Sequence, residues 1–508
     1  MTPTLADAGE IDALTAEQYI AAATSRQRIF IEAGPGTGKT TVSAQRFGVH
    51  RFSSERRHDP RAVVAVSFTR AATRNLRHRV QRLWGPAALM WPHRIVTLDT
   101  IVCDLVHDLL RAQLVEWPNA KTLWPDGNIV LDVHDSWASC ANTEFTRSTY
   151  TLSLSDRRIQ LHRKLSPKRA NRVLPSVVES CLKQGVCTHQ DVRDILELSL
   201  NDPAAARRVR QRLAYTVRSL IVDEVFDAND LDIAIIELAI TADIAVTLVG
   251  DPWQALYLFR GAKPHIVPSL LQRAGVPTLP LVQSFRWRAD EQRMLAEKLR
   301  EGHGVLLPND PEEPDVVLGL WWKELWEVGG RVLPLAFHSF KGGYEESAAT
   351  LLLNHITRSI FDLDATYLND ALTALGIGLD SFSQLDSGFQ EVVEVLRPGG
   401  KGAVDTAYLR LVEVIGAVSQ RPLRGKHHAH TKRLAQLQKR IAFPGRPVPG
   451  LTTHQAKGSE WDVVGVRLTD VEREALRRGL SSAEDMHRKI YVACTRARRR
   501  TVEVIGSE

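Results

Sequence analysis

The chain has 508 residues, 44% of them apolar, which is ample material for several cores and too long for one ordinary domain. A formal net charge of +6 leans toward a polyanionic partner. Five cysteines (Cys103, Cys140, Cys181, Cys187 and Cys494) exclude a disulfide framework, and the acidic opening MTPTLADAGEID lacks a basic-then-apolar leader, so a soluble, cytoplasmic protein is expected.

Short apolar runs rich in β-formers recur along the first half, with helical stretches between them. Arg28–Ala33, Ala62–Phe68, Ile95–Leu98, Ser219–Asp223 and Ile244–Gly250 each end at, or are followed at once by, a small, polar or acidic residue. That is the pattern of buried parallel strands with functional groups at their ends, and it predicts an α/β fold. A later set, Val332–Phe337, Val463–Leu468 and Thr501–Ile505, predicts a second α/β core. Residues 105–210 and 346–444 are rich in helix formers and interrupt the two cores; the second stretch has a Gly-rich break at Pro398–Gly402 and a basic run at Lys426–Arg433. The longest apolar stretch, Asp232–Gly250, contains Glu237 and Asp243 and falls short of the about 20 uninterrupted apolar residues of a membrane span. Cys181, Cys187 and His189 lie close together, but their spacing fits no standard zinc pattern, so ordinary thiols are expected there.

The first strand runs into Ala33–Thr40, AGPGTGKT. Glycines at 34, 36 and 38 let the backbone turn its N–H groups toward phosphates, flanked by Ala33, Pro35 and Thr37. Lys39 is placed to reach the β- and γ-phosphates, and the Thr40 hydroxyl, followed by Thr41, to ligate Mg²⁺. A phosphate loop of this kind needs a carboxylate partner at the end of a neighbouring strand, and SLIVDE supplies Asp223 for the Mg²⁺ shell and Glu224 as general base toward the attacking water. ATP with Mg²⁺ is the expected substrate.

Motif by motif and in order, the chain resembles the UvrD/Rep/PcrA helicases of superfamily 1. Leu14–Gln18 (LTAEQ) resembles the Q motif, AGPGTGKT motif I, Val66–Val80 motif Ia, and Thr97–Thr100 (TLDT) the next DNA-contacting motif. Asp223–Asn229 (DEVFDAN) is similar to motif II, Gly250–Ala262 (GDPWQALYLFRGA) to motif III, and Gln283–Arg286 (QSFR) to motif IV. Thr452–Trp461 (TTHQAKGSEW) and Tyr491–Ala497 (YVACTRA) resemble motifs V and VI. The resemblance covers both cores and neither insertion.

It implies two RecA-like P-loop NTPase domains, each with a mainly helical insertion. The first domain would comprise residues 1–104 and 211–280 around an insertion at 105–210. The second would comprise 281–345 and 445–508 around a reduced insertion at 346–444. The resemblance also implies roles. Gln18 would read the adenine edge, Phe285 stack on adenine and Glu460 contact the ribose. Arg286 and Arg496 would stabilise charge on the γ-phosphoryl group, with ATP closing a cleft between the domains, and Gln254 would sense that group. Phe68, Thr97, Asp99, Tyr257, Phe259, Arg260, Thr452 and His454 match DNA-side positions. The implied activity is ATP-driven translocation on single-stranded DNA and 3′-to-5′ unwinding at single-strand/duplex junctions. The alternative is a nucleotide-gated DNA-end sensor or regulatory subunit that activates a partner nuclease or repair protein; compact UvrD-like proteins accompany nucleases in some antiviral systems, the Gabija type among them.

The sequence departs from the family at several points. Phe226 stands where motif II usually has Gln, which removes a polar link to motif III. Asp99 stands where the family often has His, and a carboxylate is a poor neighbour for a phosphate backbone. The motif after motif IV is barely recognisable around Val332–Ser339, and the second insertion is short. Because the sequence stops just past motif VI, no C-terminal partner-binding domain is expected.

Overall fold

In a computed structural model, the described residues are 14–53, 58–135, 137, 148–165, 175–309, 312–419, 421, 423 and 428–506. The chain divides into two compact units, Met1–Phe285 and Arg286–Glu508. The acidic N-terminal segment, Cys140 and the Lys426–His427 start of the basic run lie outside the described residues.

The first unit contains strands β1 (Arg28–Ala33), β2 (Ala62–Ser67), β3 (Arg94–Thr97), β4 (Asp132–His134), β5 (Ser148–Ser155), β6 (Arg158–Leu165), β7 (Val186–Thr188), β8 (Val217–Val222), β9 (Ala245–Gly250) and β10 (Thr278–Leu281). Six of them form one all-parallel sheet in the order β10-β1-β9-β8-β2-β3. Strands β2, β8 and β9 are buried at every position, which is why they read as continuous apolar runs and not as alternating ones. Helices such as Lys39–Phe52, Arg70–Trp84 and Asp230–Thr241 cover the faces of this sheet. The apolar stretch Asp232–Gly250 therefore splits into a helix and the central strand β9, and no helix among the described residues is long and apolar enough to cross a membrane.

The stretch between β3 and β8 contains helices, including His189–Ser199 and Pro203–Thr216, but also structure that composition did not reveal. Strands β5 and β6 pair as an antiparallel hairpin, turned by Asp156 and Arg157 with φ of 48° and 65°. Two consecutive left-handed residues give the twist that closes a two-residue hairpin, and Asp-Arg in place of Asn-Gly hides that turn from sequence inspection.

The second unit carries β11 (Val316–Gly319), β12 (Val332–Pro334), β13 (Val448–Thr452), β14 (Trp461–Val466) and β15 (Ala497–Glu503). They form a parallel sheet in the order β12-β13-β11-β14-β15. The expected strand at Val332–Phe337 is shorter than its apolar run, and β11 and β13 were not foreseen; all three are only three to five residues long. Between β12 and β13 lie helices that include Tyr344–Phe361, Asp386–Leu396, Lys401–Gly416 and His428–Ile441, packed around Leu352, Phe389, Leu411 and Leu434.

Candidate functional site

In the first unit the candidate residues gather beyond the C-terminal ends of the parallel strands, where open α/β sheets place their ligands. Strand β1 delivers the phosphate loop, β8 delivers Asp223 and Glu224, and β9 delivers Asp251. Strands β2 and β3 deliver Phe68 and Thr97.

Ala33 closes β1, and the loop Gly34–Gly38 leads into the helix that begins at Lys39. Gly38 has φ +84°, and a Cβ there would sit 2.6 Å from Gln18 Nε2, so only glycine fits. Gln18, 5% exposed, donates from Nε2 to the Thr37 carbonyl at 2.9 Å and braces the loop. The Thr37 hydroxyl donates to the Gly34 carbonyl at 3.0 Å, and Arg79 Nη1 donates to Thr41 Oγ1 at 2.5 Å. The Ser284 hydroxyl donates to the Pro35 carbonyl at 2.8 Å and the Phe285 amide to the Gly36 carbonyl at 2.9 Å. The Phe285 ring, 55% exposed, thus stands beside the loop in the same unit as Gln18.

Lys39 Nζ is buried and makes no hydrogen bond among the described residues; its partner is Glu224 Oε1 at 3.5 Å. Glu224 has φ +60°, a left-handed conformation that non-glycine residues rarely adopt. That turn aims Glu224 at Lys39 while Asp223, 5% exposed, accepts the Glu224 amide at 3.1 Å. A buried ammonium without a hydrogen-bond acceptor, set at a glycine-lined helix N-terminus, fits a polyphosphate. Thr40 and Asp223 fit the oxygen donors that Mg²⁺ requires.

Asp251, fully buried, links this site to the neighbouring one. Its Oδ1 accepts the Trp253 amide at 3.2 Å and its Oδ2 accepts Gln254 Nε2 at 2.7 Å. From the motif II side, Asp227 Oδ1 accepts the Leu256 amide at 3.1 Å. Phe226 takes no part in this polar path. It is 4% exposed and packs edge-on against Phe30 at 5.9 Å. A polar link between the two motifs therefore runs through Asp227, one residue past the position where the family's Gln would stand.

Phe68, Thr97, Asp99, Tyr257, Phe259 and Arg260 all line one pocket of about 780 Å³. The Tyr257 and Phe259 rings lie 5.9 Å apart, with the Arg260 guanidinium 5.3 Å from one centroid and 5.6 Å from the other. Phe259 is 69% exposed, so its ring is no core residue. Asp99 occupies the first turn of the helix Leu98–Arg111, where the dipole favours a carboxylate. Arg193 Nη1 donates to it at 2.7 Å. Sequence reasoning missed Arg193. It reaches the pocket from the helix His189–Ser199, 94 positions away from Asp99, and no local pattern marks it.

In the second unit, Arg286, its side chain 10% exposed, donates from Nε to Glu460 Oε2 at 3.0 Å and from Nη1 to the Thr495 carbonyl at 2.9 Å. Burial pulls the Arg286 guanidinium below its ordinary range even though Glu460 opposes it. Burial pushes the Glu460 carboxyl up, but Arg286 and Arg498 outweigh it and hold the group below its usual value. Arg496, 1% exposed, follows the helix Asp485–Cys494 and donates to the Val492 carbonyl at 3.1 Å. Thr452 is buried as the N-cap of Thr453–Ala456, which also carries His454. Among the described residues no cluster of His, Cys, Asp and Glu is arranged to hold a metal ion, Cys181, Cys187 and His189 included.

The sequence model of the UvrD/REP helicase N-terminal domain matches residues 14–274, half of the chain. The chain belongs to the UvrD/REP helicase family. DNA helicase II of Salmonella typhimurium is 26% identical over 310 residues, which cover 54% of this chain and 39% of that protein. DNA helicase II of Escherichia coli gives the same figures, 26%, 54% and 39%. The RecBCD enzyme subunit RecB of Mycobacterium tuberculosis is 32% identical over 119 residues, 23% of this chain and 10% of that one. The chain thus spans well under half the length of these relatives. As a UvrD/REP family member it has its two parallel sheets as RecA-like cores, and the matched segment contains the phosphate loop, Glu224 and the aromatic pocket.

Proposed function

We propose that the protein hydrolyses ATP to move along single-stranded DNA in the 3′-to-5′ direction and to separate the strands of a duplex at a junction. The observation that carries this reading is the placement of two sites on one sheet edge. A phosphate loop with Lys39 facing Glu224 at 3.5 Å stands at β1 and β8, and the Asp251–Gln254 turn at β9 joins it to a pocket walled by Tyr257 and Phe259.

In this reading Gln18 and Phe285 hold adenine, and residues 33–41 hold the phosphates. Thr40 and Asp223 would hold Mg²⁺, which when bound neutralises charge on the phosphate oxygens. Glu224 accepts the proton of the attacking water, and its left-handed backbone fixes the carboxylate for that task. Arg286 and Arg496 stabilise charge on the γ-phosphoryl group, a role that suits guanidinium groups already stripped of water. Glu460 meanwhile orients Arg286. Gln254, tied to Asp251, relays the state of the γ-phosphate to Tyr257. Stacking suits a motor because every base offers a π-face. Thr452 and His454 complete the DNA side.

Similarity to RecB, by its name one subunit of a larger enzyme, favours a second reading, in which the protein senses DNA and activates a partner nuclease. Unwinding of a 3′-tailed duplex by the purified chain separates the two. Strand separation that needs ATP and a 3′ tail supports the motor, whereas DNA-stimulated ATP turnover without separation supports the subunit.

A further inference from the structure

A single strand offers a pocket two kinds of group: phosphates, which carry charge, and bases, which do not. The pocket at the ends of β2, β3 and β9 is lined by Asp99, Asp135, Asp227 and Asp232 against Arg70, Arg193 and Arg260. The arginines are largely committed. Arg193 donates to Asp232 Oδ1 at 2.5 Å, to Asn229 Oδ1 at 2.9 Å and to Asp99 Oδ1 at 2.7 Å, and Arg70 donates to Asp135 at 2.9 Å. Arg260 lies over the two rings. Four aspartates face three arginines and His189, so the floor offers a phosphate little net positive charge, while the rings of Phe68, Tyr257 and Phe259 favour a base.

Asp99 is the carboxylate that a base would meet. Its side chain is 39% exposed, and Arg193, only 14% exposed, fixes its orientation through Oδ1. Its Oδ2 accepts no hydrogen bond among the described residues. A fixed carboxylate accepts from N–H and repels a carbonyl oxygen. Adenine, cytosine and guanine carry an exocyclic amino group. Thymine and uracil carry none, and their one ring N–H lies between two carbonyls.

Resting on the single-strand reading above, we propose that Asp99, held by Arg193, reads the exocyclic amino group of a base entering this pocket, so that the protein prefers strands of amino-bearing bases to strands of thymine or uracil. The Asp at this position then acts as a base-edge acceptor and has no need to approach the phosphate backbone. Arg193 is a positioning residue: it shields the Asp99 charge and sets its direction.

The test is equilibrium binding of the full chain to oligo-dC and oligo-dU of equal length, at neutral pH and fixed ionic strength. The two bases have nearly the same shape and differ at C4, amino against carbonyl, and at N3, bare nitrogen against N–H. Wild type is expected to bind oligo-dC about tenfold more tightly, the size of one hydrogen bond to a charged group. Asp99→Ala should bring the two affinities together, chiefly by weakening oligo-dC. Asp99→Asn, which keeps the shape and can donate to a carbonyl, should erase or reverse the preference and serves if Asp99→Ala does not fold. Equal binding of both oligomers by wild type overturns the inference and leaves single-strand binding standing. A preference that survives in folded Asp99→Ala also overturns it, because another group then reads the base. Binding of neither oligomer overturns the single-strand reading and this inference with it.

Discussion

Lys39 and Glu224 face each other at 3.5 Å, and in the proposed function their charges serve different steps. Removing the ammonium removes the group that the phosphates would engage, whereas Glu224→Gln keeps the cradle and removes only the proton acceptor. Lys39→Ala is therefore expected to lose nucleotide binding and turnover together. Glu224→Gln should bind ATP as wild type does and turn it over about 10²-fold or more slowly. Titration of binding and single-turnover hydrolysis on both variants checks this, and equal loss of binding in the two would give Glu224 a different role. Phe226 calls for a different expectation. Because its ring is buried against Phe30, Phe226→Gln should bury an unpaired amide and lower stability by roughly 1–3 kcal/mol while leaving DNA stimulation of ATP turnover intact. Gln254→Ala should cost roughly 1–3 kcal/mol of stability, because buried Asp251 loses that donor, yet still bind ATP and lose the acceleration by DNA. A folded Gln254→Ala protein with full DNA stimulation would remove Gln254 from the coupling path. At this scale the phosphate loop was legible because its chemistry is contiguous in sequence. Asp227 and Arg193 were not, because a buried Asp–amide contact and an ion pair across 94 positions leave no local signature.

The elements that hold the first site together are tuned by close packing and by one buried imidazole. The helix Lys39–Phe52 meets the helix Arg70–Trp84 at Gly48, where a Cβ would lie 1.9 Å from Trp84. Phe52 stacks on the same indole at 5.7 Å. Gly48→Ala should therefore cost about 1–3 kcal/mol by overpacking, despite the better helix propensity of alanine. A melting temperature at or above wild type would show that the two helices can part at no cost. Next to them, the Val63 amide donates to His93 Nδ1 at 3.0 Å. Burial, aided by Arg51 and Arg218 and opposed by Asp59, holds the imidazole down to about 4 from 6.5. The unfolded chain then binds the proton more readily. The contribution is complete above pH 6.5 and is lost as pH falls through the folded value, by up to about 3 kcal/mol. His93→Gln should be less stable at neutral pH and should flatten the unfolding free energy between pH 6.5 and 4, as urea titrations at several pH values would show; parallel curves for the two proteins would assign the acid loss elsewhere. Long buried strands such as β8 and β9 stood out in the sequence as apolar runs. The short strands β11 and β13 and the Asp156–Arg157 hairpin did not, because four or five residues carry too little periodicity and the turn lacks glycine.

At the scale of the whole chain, the two parallel sheets and the family were legible from motif order, because most motifs sit at strand ends and the strands are among the most apolar runs, although LTAEQ and YVACTRA fall largely on helices. The insertions were legible only as helix-rich stretches, since no motif anchors them. That is also where Arg193 comes from: a residue of the stretch between β3 and β8 fixes the charge of a pocket built on the sheet. In the proposed function the nucleotide site and the single-strand site of this chain are coupled. The most direct test is steady-state ATP turnover by the full chain, with and without saturating single-stranded DNA, beside Glu224→Gln as the hydrolysis-defective control. Turnover should rise severalfold with DNA, and Glu224→Gln should abolish that rise. Wild-type protein that binds the DNA yet hydrolyses ATP at the same rate with and without it would contradict the claim.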